Sequence, residues 1–316
     1  MKTEKSEVKA WEGEISIPTY RLGPEDQNPP IFIKRKNPIH PGGSIIYPYP
    51  LNENLTEIKE ERVWKALFLE NDYLRLTFLP ELGGHLLSVM DKSTGEEAMY
   101  RNHVLKFARI GIRGAWVSGG IEWNFPNGHT VTTSSPIDYG IRENEDGSKT
   151  VFIGDIEKVS RMRWSVGITL YRDFAFFETE TSLFNRTHLP NRFWFWANSA
   201  APASKGLEFI TTATRVMTLT DVISFPVRNG VDLRWDGKET EAQDLFSLDL
   251  KQDFVAWYNH DIERGMINYG DRTEAPGKKF YTWGNSDDGK IWTELLTDND
   301  GPYSEMQSGR LPTMRI

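Results

Sequence analysis

The sequence predicts an all-β fold, a sandwich of antiparallel strands, on three observations. Strict alternation recurs, and Met162-Arg163-Trp164-Ser165-Val166-Gly167-Ile168-Thr169-Leu170 shows it best. Its large apolar residues fall on one face while Arg, Ser, Gly and Thr take the other, the pattern of a half-buried strand. Gly, Pro, Asn and Asp punctuate the chain at short intervals, as the turns of a sandwich require. No stretch of ordinary helix length carries a convincing 3.6-residue repeat.

The elements follow in order. Residues 1–60 carry eight prolines, from Pro18 to Pro50, and too few apolar side chains to fold alone, so this segment is expected as an extended arm on a main body of residues 61–316. Val63–Glu70 reads as the first strand of that body. Leu74, Leu76 and Phe78 alternate with Arg75 and Thr77, and Pro80-Glu81-Leu82-Gly83-Gly84 turns that strand into another, from His85 to Met90. Lys149–Ile156 is the next strand, and Met162–Leu170 turns through Tyr171-Arg172-Asp173-Phe174 into a partner ending at Phe184. Further strands are expected at Arg192–Asn198, Glu208–Thr220, Phe254–Tyr258, Gly265–Tyr269, Lys279–Trp283 and Lys290–Leu296. The acidic span Asp236–Gln252 is expected as an exposed loop with one short helix.

Composition narrows the function. The chain has 316 residues, a formal net charge of −8 and no cysteine. The missing cysteines exclude a disulfide framework, cysteine-ligated zinc and thiol nucleophiles. A sequence pI near 5.4 argues against a nucleic-acid partner, since phosphate neutralisation calls for a basic face. No apolar window approaches the roughly 18 residues of a membrane span, and Met1–Ala10 is too charged for a signal peptide. A cytoplasmic protein without a membrane partner is the expectation. Aromatic residues reach 12%, which serves either a β-rich core or flat platforms for sugar rings.

Phosphate-binding loops, dinucleotide fingerprints, the G-x-S-x-G elbow and H-E-x-x-H are all absent. The six histidines, at 40, 85, 103, 129, 188 and 260, stand singly, so no metal or other cofactor is expected. His40, His188 and His260 read as exposed loop residues, and His85 and His103 as polar hairpin ends.

The densest constellation runs from Arg113 through Trp116, Gly119, Gly120, Glu122, Trp123, Asn124 and Phe125 to His129. A few ionisable groups among rings and glycines suit a small polar-ligand pocket; a bulged core strand whose Glu122 pairs with an arginine is the other reading. A second constellation, Asp298 to Arg310, places Tyr303, Glu305 and Gln307 on one strand face, which lines a cleft or meets solvent. Two aspartates there, Asp298 and Asp300, fall short of the roughly six to eight oxygens that Ca²⁺ takes. Trp194 and Trp196 share a face with Arg192 and Asn198, as a sugar platform or as packing.

Thr77-Phe78-Leu79-Pro80-Glu81-Leu82-Gly83-Gly84-His85-Leu86-Leu87-Ser88-Val89, followed by Asp91-Lys92, resembles the opening hairpin of galactose-mutarotase-like (aldose 1-epimerase-like) domains. Trp11 with Ile17-Pro18-Thr19-Tyr20, Tyr47-Pro48-Tyr49-Pro50, Gly119–Asn124 and Asp300-Gly301-Pro302-Tyr303 extend the match across about residues 8–312. Together they resemble a bacterial domain-of-unknown-function family of that fold, often found ahead of tetratricopeptide repeats. The resemblance implies a β-supersandwich with a concave-sheet cleft for a mono- or oligosaccharide. Mutarotases pair a late-strand glutamate with a mid-chain histidine, which would be Glu305 and His129; the family's segment of histidine, aromatic and asparagine is missing here.

Glycoside hydrolysis needs two carboxyl groups across a cleft. Glu122, desolvated by Trp123 and Phe125, suits a general acid, with Glu305 as base or nucleophile. Arg113, Asn124, Gln307 and Arg310, with Trp116, Trp123, Tyr303 and His85, would contact the sugar. Hydrolysis is therefore expected ahead of mutarotation, and a non-catalytic sugar-binding domain is the third reading.

Overall fold

The structure is a computed structural model; it describes residues 7–31, 46–238, 241–284 and 286–310. His40, Pro38 and Pro41 lie outside the described residues. Strands in antiparallel sheets dominate, with one α-helix and one 3₁₀ turn among the described residues, and the all-β expectation holds. No helix among them is long and apolar enough to cross a membrane. The chain divides into two compact units, one of residues 1–97, 107–117 and 125–193, the other of residues 98–106, 118–124 and 194–316.

In the first unit, Lys9–Leu22, Leu55–Glu70, Leu74–Leu79 and His85–Asp91 pair in that order, each antiparallel to the next. Within the 1–60 segment, Lys9–Leu22 thus lies along Leu55–Glu70, which begins earlier than the alternation of Val63–Glu70 suggested. On these strands Leu67, Leu69, Leu76, Phe78 and Leu86 have no exposed area, and Leu74–Leu79 and His85–Asp91 are buried along most of their length. At the Pro80–Leu82 turn, Gly83 and Gly84 take φ of +65° and +70°. A Cβ on Gly84 would come within 2.7 Å of Ile137 and 2.9 Å of Ile153, so glycine serves there both the left-handed backbone and the close packing. The hairpin Arg163–Leu170 with Phe177–Phe184 is present, extended by Lys149–Ile156 and Asp138–Glu143.

In the second unit, Ile121–Asn124, Trp196–Pro202, Tyr303–Gly309, Gly277–Thr282, Gln243–Ser247, Arg215–Met217 and Val222–Ser224 pair in that spatial order. A second sheet of Leu207–Thr211, Phe254–Asn259 and Arg264–Tyr269 supplies Leu207, Phe209, Val255 and Trp257, which pack on Ala201, Phe280 and Met306 of the first. That burial covers one face of the seven-strand array; on the other face Trp196, Met217 and Phe246 form a second buried cluster.

Two local expectations are corrected. Lys290–Leu296 is not a strand: Asp287–Leu296 is an α-helix whose N-cap, Ser286, accepts from Gly289 N. Asp287 and Asp288 complement the helix dipole, and Ile291 with Leu295 is an i, i+4 pair that a short window misreads as a strand's apolar run. The span 236–252 is not all loop, since Gln243–Ser247 is an interior strand with Leu245, Phe246 and Ser247 buried. Two turns of alternation between polar and apolar residues are too few to stand out from an acidic background.

Candidate functional site

Register decides which side chains of the second unit share that other face. Glu122 is opposite Asn198, and Asn198 opposite Gln307. Gln307 is opposite Lys279, and Lys279 opposite Phe246. The neighbouring row reads Asp244, Tyr281, Glu305 and Ala200. Trp196 lies between Asn124 and Gly309 in a third row. Because alternate residues of paired strands point to the same side, all of these project from the face that the second sheet leaves uncovered.

The carboxylates are buried: Glu122 is 5% exposed and Glu305 7%. Each meets a carboxamide two residues further along its own strand. Asn124 Nδ2 donates to Glu122 Oε2 at 3.3 Å, and Gln307 Nε2 donates to Glu305 Oε2. Lys279 Nζ pairs with Asp244 and lies 4.8 Å from the Phe246 ring, 5.8 Å from Trp196 and 5.9 Å from Tyr281. The ammonium thus sits among three ring faces, a favourable cation–π arrangement. Among the described residues three buried polar atoms on this face, Trp196 Nε1, Asn198 Oδ1 and Tyr303 Oη, have no hydrogen-bond partner. Buried polar groups left so are costly, and all three project from the same sheet face as the two carboxylates.

Electrostatics tie the two glutamates to one neighbourhood. Burial pushes the Tyr303 phenol well up, and the charges of Glu305, Tyr281, Tyr100 and Glu122 add to it. Burial likewise raises the Tyr281 phenol far above its usual range, with Glu305 and Asp244 contributing. Both phenols stay protonated at neutral pH. Tyr303 is fixed by stacking on Tyr100 at 5.0 Å and by an edge contact with Trp283 at 6.0 Å.

The structure therefore brings together Glu122, Asn124, Tyr303, Glu305 and Gln307. Trp123 alternates to the opposite face, paired with Ala197, so it is not the ring beside the Glu122 carboxyl. Arg310 follows the end of its strand, exposed and bonded to Glu274. The remaining candidates belong to the first unit. There Arg113 is committed to structure: its guanidinium donates to Pro50 O at 2.7 Å, Val131 O at 3.1 Å and Ser135 Oγ at 2.6 Å, and pairs with Glu25. His129 packs edge-on against Trp116 at 5.3 Å, and His85 is a buried residue opposite Leu79. In the second unit His103 is anchored to Asp300, with Nδ1 2.7 Å and 2.8 Å from its two oxygens.

Asp244, Lys279, Tyr281 and Ala200 share this face too, and none of them is among the candidates named from the sequence. The alternation of Lys279 and Tyr281 around buried Phe280 was a usable signal; Asp244, inside a span read as loop, gave none. No group of three or more His, Cys, Asp or Glu side chains among the described residues is placed to hold a metal ion.

A family model described as a domain of unknown function (DUF5107) matches residues 42–315. The chain belongs to this family. Among solved structures, a TPR-domain containing protein from Parabacteroides distasonis is 24% identical with a TM-score of 0.87, covering 99% of this chain and 52% of that one. This chain therefore spans about half of that protein's length. A galactose mutarotase-like protein from Clostridium acetobutylicum matches at a TM-score of 0.55 and 10% identity, over 80% of this chain and 87% of that one. Another from Lactobacillus casei gives 0.51 and 10%, over 77% and 87%. At such identities the likeness is one of fold, and the expected galactose-mutarotase-like architecture is what these DUF5107 residues adopt.

Proposed function

We propose that this polar face of the second unit's sheet binds a mono- or oligosaccharide, and that Glu122 and Glu305 hydrolyse a glycosidic bond across it. One observation carries the reading: two buried carboxylates, each held by its own carboxamide, share a sheet face with a tryptophan, a tyrosine and an asparagine whose buried polar atoms lack partners. Sugars present hydroxyls in directions that suit such amides and phenols. The mutarotase-like names of the solved neighbours support the same ligand class.

Sheet geometry favours one stereochemical course. Glu122 and Glu305 stand two strands apart and two residues out of row, about 9.6 Å across and about 6.7 Å along, hence about 12 Å between Cα atoms. With both side chains on one side, a modest lean gives the carboxyl separation of about 6.5–9.5 Å used for inversion, whereas the roughly 5 Å of retention demands that both fold sharply together. Protonated Glu122 gives its proton to the glycosidic oxygen as the C1–O bond breaks and its electron pair passes to that oxygen. Glu305 takes a proton from water, whose oxygen attacks C1 from the opposite side. The products are an alcohol and a sugar of inverted configuration, and proton exchange with solvent restores both carboxyls.

The experiment is a panel of aryl glycosides and free sugars followed by NMR. Bond cleavage with inversion supports the reading. Anomer exchange of free sugars without cleavage would replace it by mutarotation, and binding without either would leave a carbohydrate-binding module.

A further inference from the structure

Aromatic rings gather at one end of the polar face. Tyr281, opposite Glu305, meets Trp283 edge-on at 5.1 Å, and Trp283 meets Tyr303 edge-on at 6.0 Å. Trp292, on the helix Asp287–Leu296, packs on Trp283 at 5.6 Å with a tilt of 34°. Exposure grades along the group: Tyr100 and Tyr303 are buried, whereas Tyr281, Trp283 and Trp292 are half-buried and reach solvent. The helix is held close to these rings, since a Cβ on its buried Gly289 would collide with the carbonyl oxygens of Trp283 and Gly284. Packing on the backbone, rather than flexible chain, therefore sets where Trp292 lies.

Resting on the reading above, we propose that Tyr281, Trp283 and Trp292 form an open aromatic shelf for a second sugar unit, so that the substrate is an oligosaccharide with at least two units on the side of the cleaved bond that keeps C1. The order of strands fixes which side the shelf serves. The strand of Glu122 is followed by that of Asn198, then by that of Glu305, then by that of Tyr281, so the shelf lies beyond Glu305 and away from Glu122. Glu122 gives its proton to the departing oxygen, which keeps the leaving group on its own side; the shelf is left to the part that retains C1. A sugar whose hydroxyls are mostly equatorial shows an unbroken patch of C–H bonds, slightly positive and apolar, and such a patch suits the slightly negative face of an aromatic ring. The contact needs only the part of each ring that solvent already reaches.

The test uses the whole chain with p-nitrophenyl glycosides in matched pairs, one carrying a single sugar unit and one carrying two units of the same sugar. Wild-type kcat/KM should be higher for the two-unit member by about 10-fold or more, the worth of one well-packed tryptophan contact. Trp292→Ala should shrink that ratio towards one, and Trp292→Phe should restore part of it because a ring returns. A purely structural role for Trp292 would instead lower both members by the same factor. Circular dichroism melts identify variants that remain folded, and the wild-type ratio stands by itself if the alanine variant does not fold. Equal kcat/KM for the two members in wild type, or an unchanged ratio in folded Trp292→Ala, would overturn the shelf while leaving the two-carboxylate reading intact. Failure of wild type to cleave any pair, or undiminished cleavage of alkyl glycosides by both Glu122→Gln and Glu305→Gln, would remove that reading and the shelf with it.

Discussion

Lys278 is fully buried on the face opposite the proposed site, where its Nζ donates to Asn268 Oδ1 at 2.8 Å and Ser308 Oγ at 2.7 Å. Neither partner is charged, and burial lowers the ammonium from the ordinary 10.5 to about 8, with the Asp253 charge opposing the fall. At about 1.4 kcal/mol per pH unit, the gap corresponds to about 3 kcal/mol of cost for holding the charged lysine in the fold. The sign follows from linkage. Below about 8 both states carry the proton and the cost is full; between about 8 and 10.5 the unfolded chain binds a proton that the folded chain has released, so stability rises with pH. Above 10.5 the cost has gone. Replacing Lys278 by methionine removes the titrating group while keeping most of its volume. Urea unfolding of both proteins from about pH 7 to about pH 11 should show the wild-type stability gaining about 3 kcal/mol relative to Lys278→Met across that window. Taking the difference cancels the other titrations. A flat difference curve would refute the reasoning, because it would mean that the buried ammonium keeps its ordinary affinity for the proton.

Other outcomes concern the site. Glu122→Gln and Glu305→Gln should each cut hydrolysis of alkyl glycosides by about 100-fold or more; dinitrophenyl glycosides, whose leaving group needs no proton, should rescue the first and not the second, and equal rescue would reverse the assigned roles. Asp244→Asn leaves Lys279 buried without its charge partner and should cost about 3–5 kcal/mol, read by urea unfolding; a loss under about 1 kcal/mol would show the pair to be well solvated. A Cβ at Gly309 would approach the Trp196 indole to 2.4 Å and Phe195 O to 2.4 Å, so Gly309→Ala should destabilise by about 1–3 kcal/mol and shift the tryptophan emission, which unchanged spectra and stability would contradict.

Glu122 and Glu305 were readable as candidates because each sits in a short motif that mixes rings, amides and glycine, and such motifs are local. Trp123 shows the limit of that reading: it is adjacent in sequence to Glu122, yet strand alternation sends it to the other side. Arg113 shows another limit, since backbone carbonyls recruited from Pro50 and Val131 hold its guanidinium, and no spacing rule announces them.

The sequence by itself determined the class of the fold, most of its strands and the family, because alternation, turn chemistry and the Pro80–Gly84 hairpin are properties of short segments. Tertiary structure alone decided the company each strand keeps. Asn198 meets both Glu122 and Gln307, and Asp244 reaches the row of Glu305 through Tyr281; those pairings join residues far apart in the chain, and their register follows from burying Phe280, Met306 and Ala201 against the second sheet. Once that apolar face is covered, the pleat leaves the opposite side chains no choice of side, and scattered acids, amides and rings become one site.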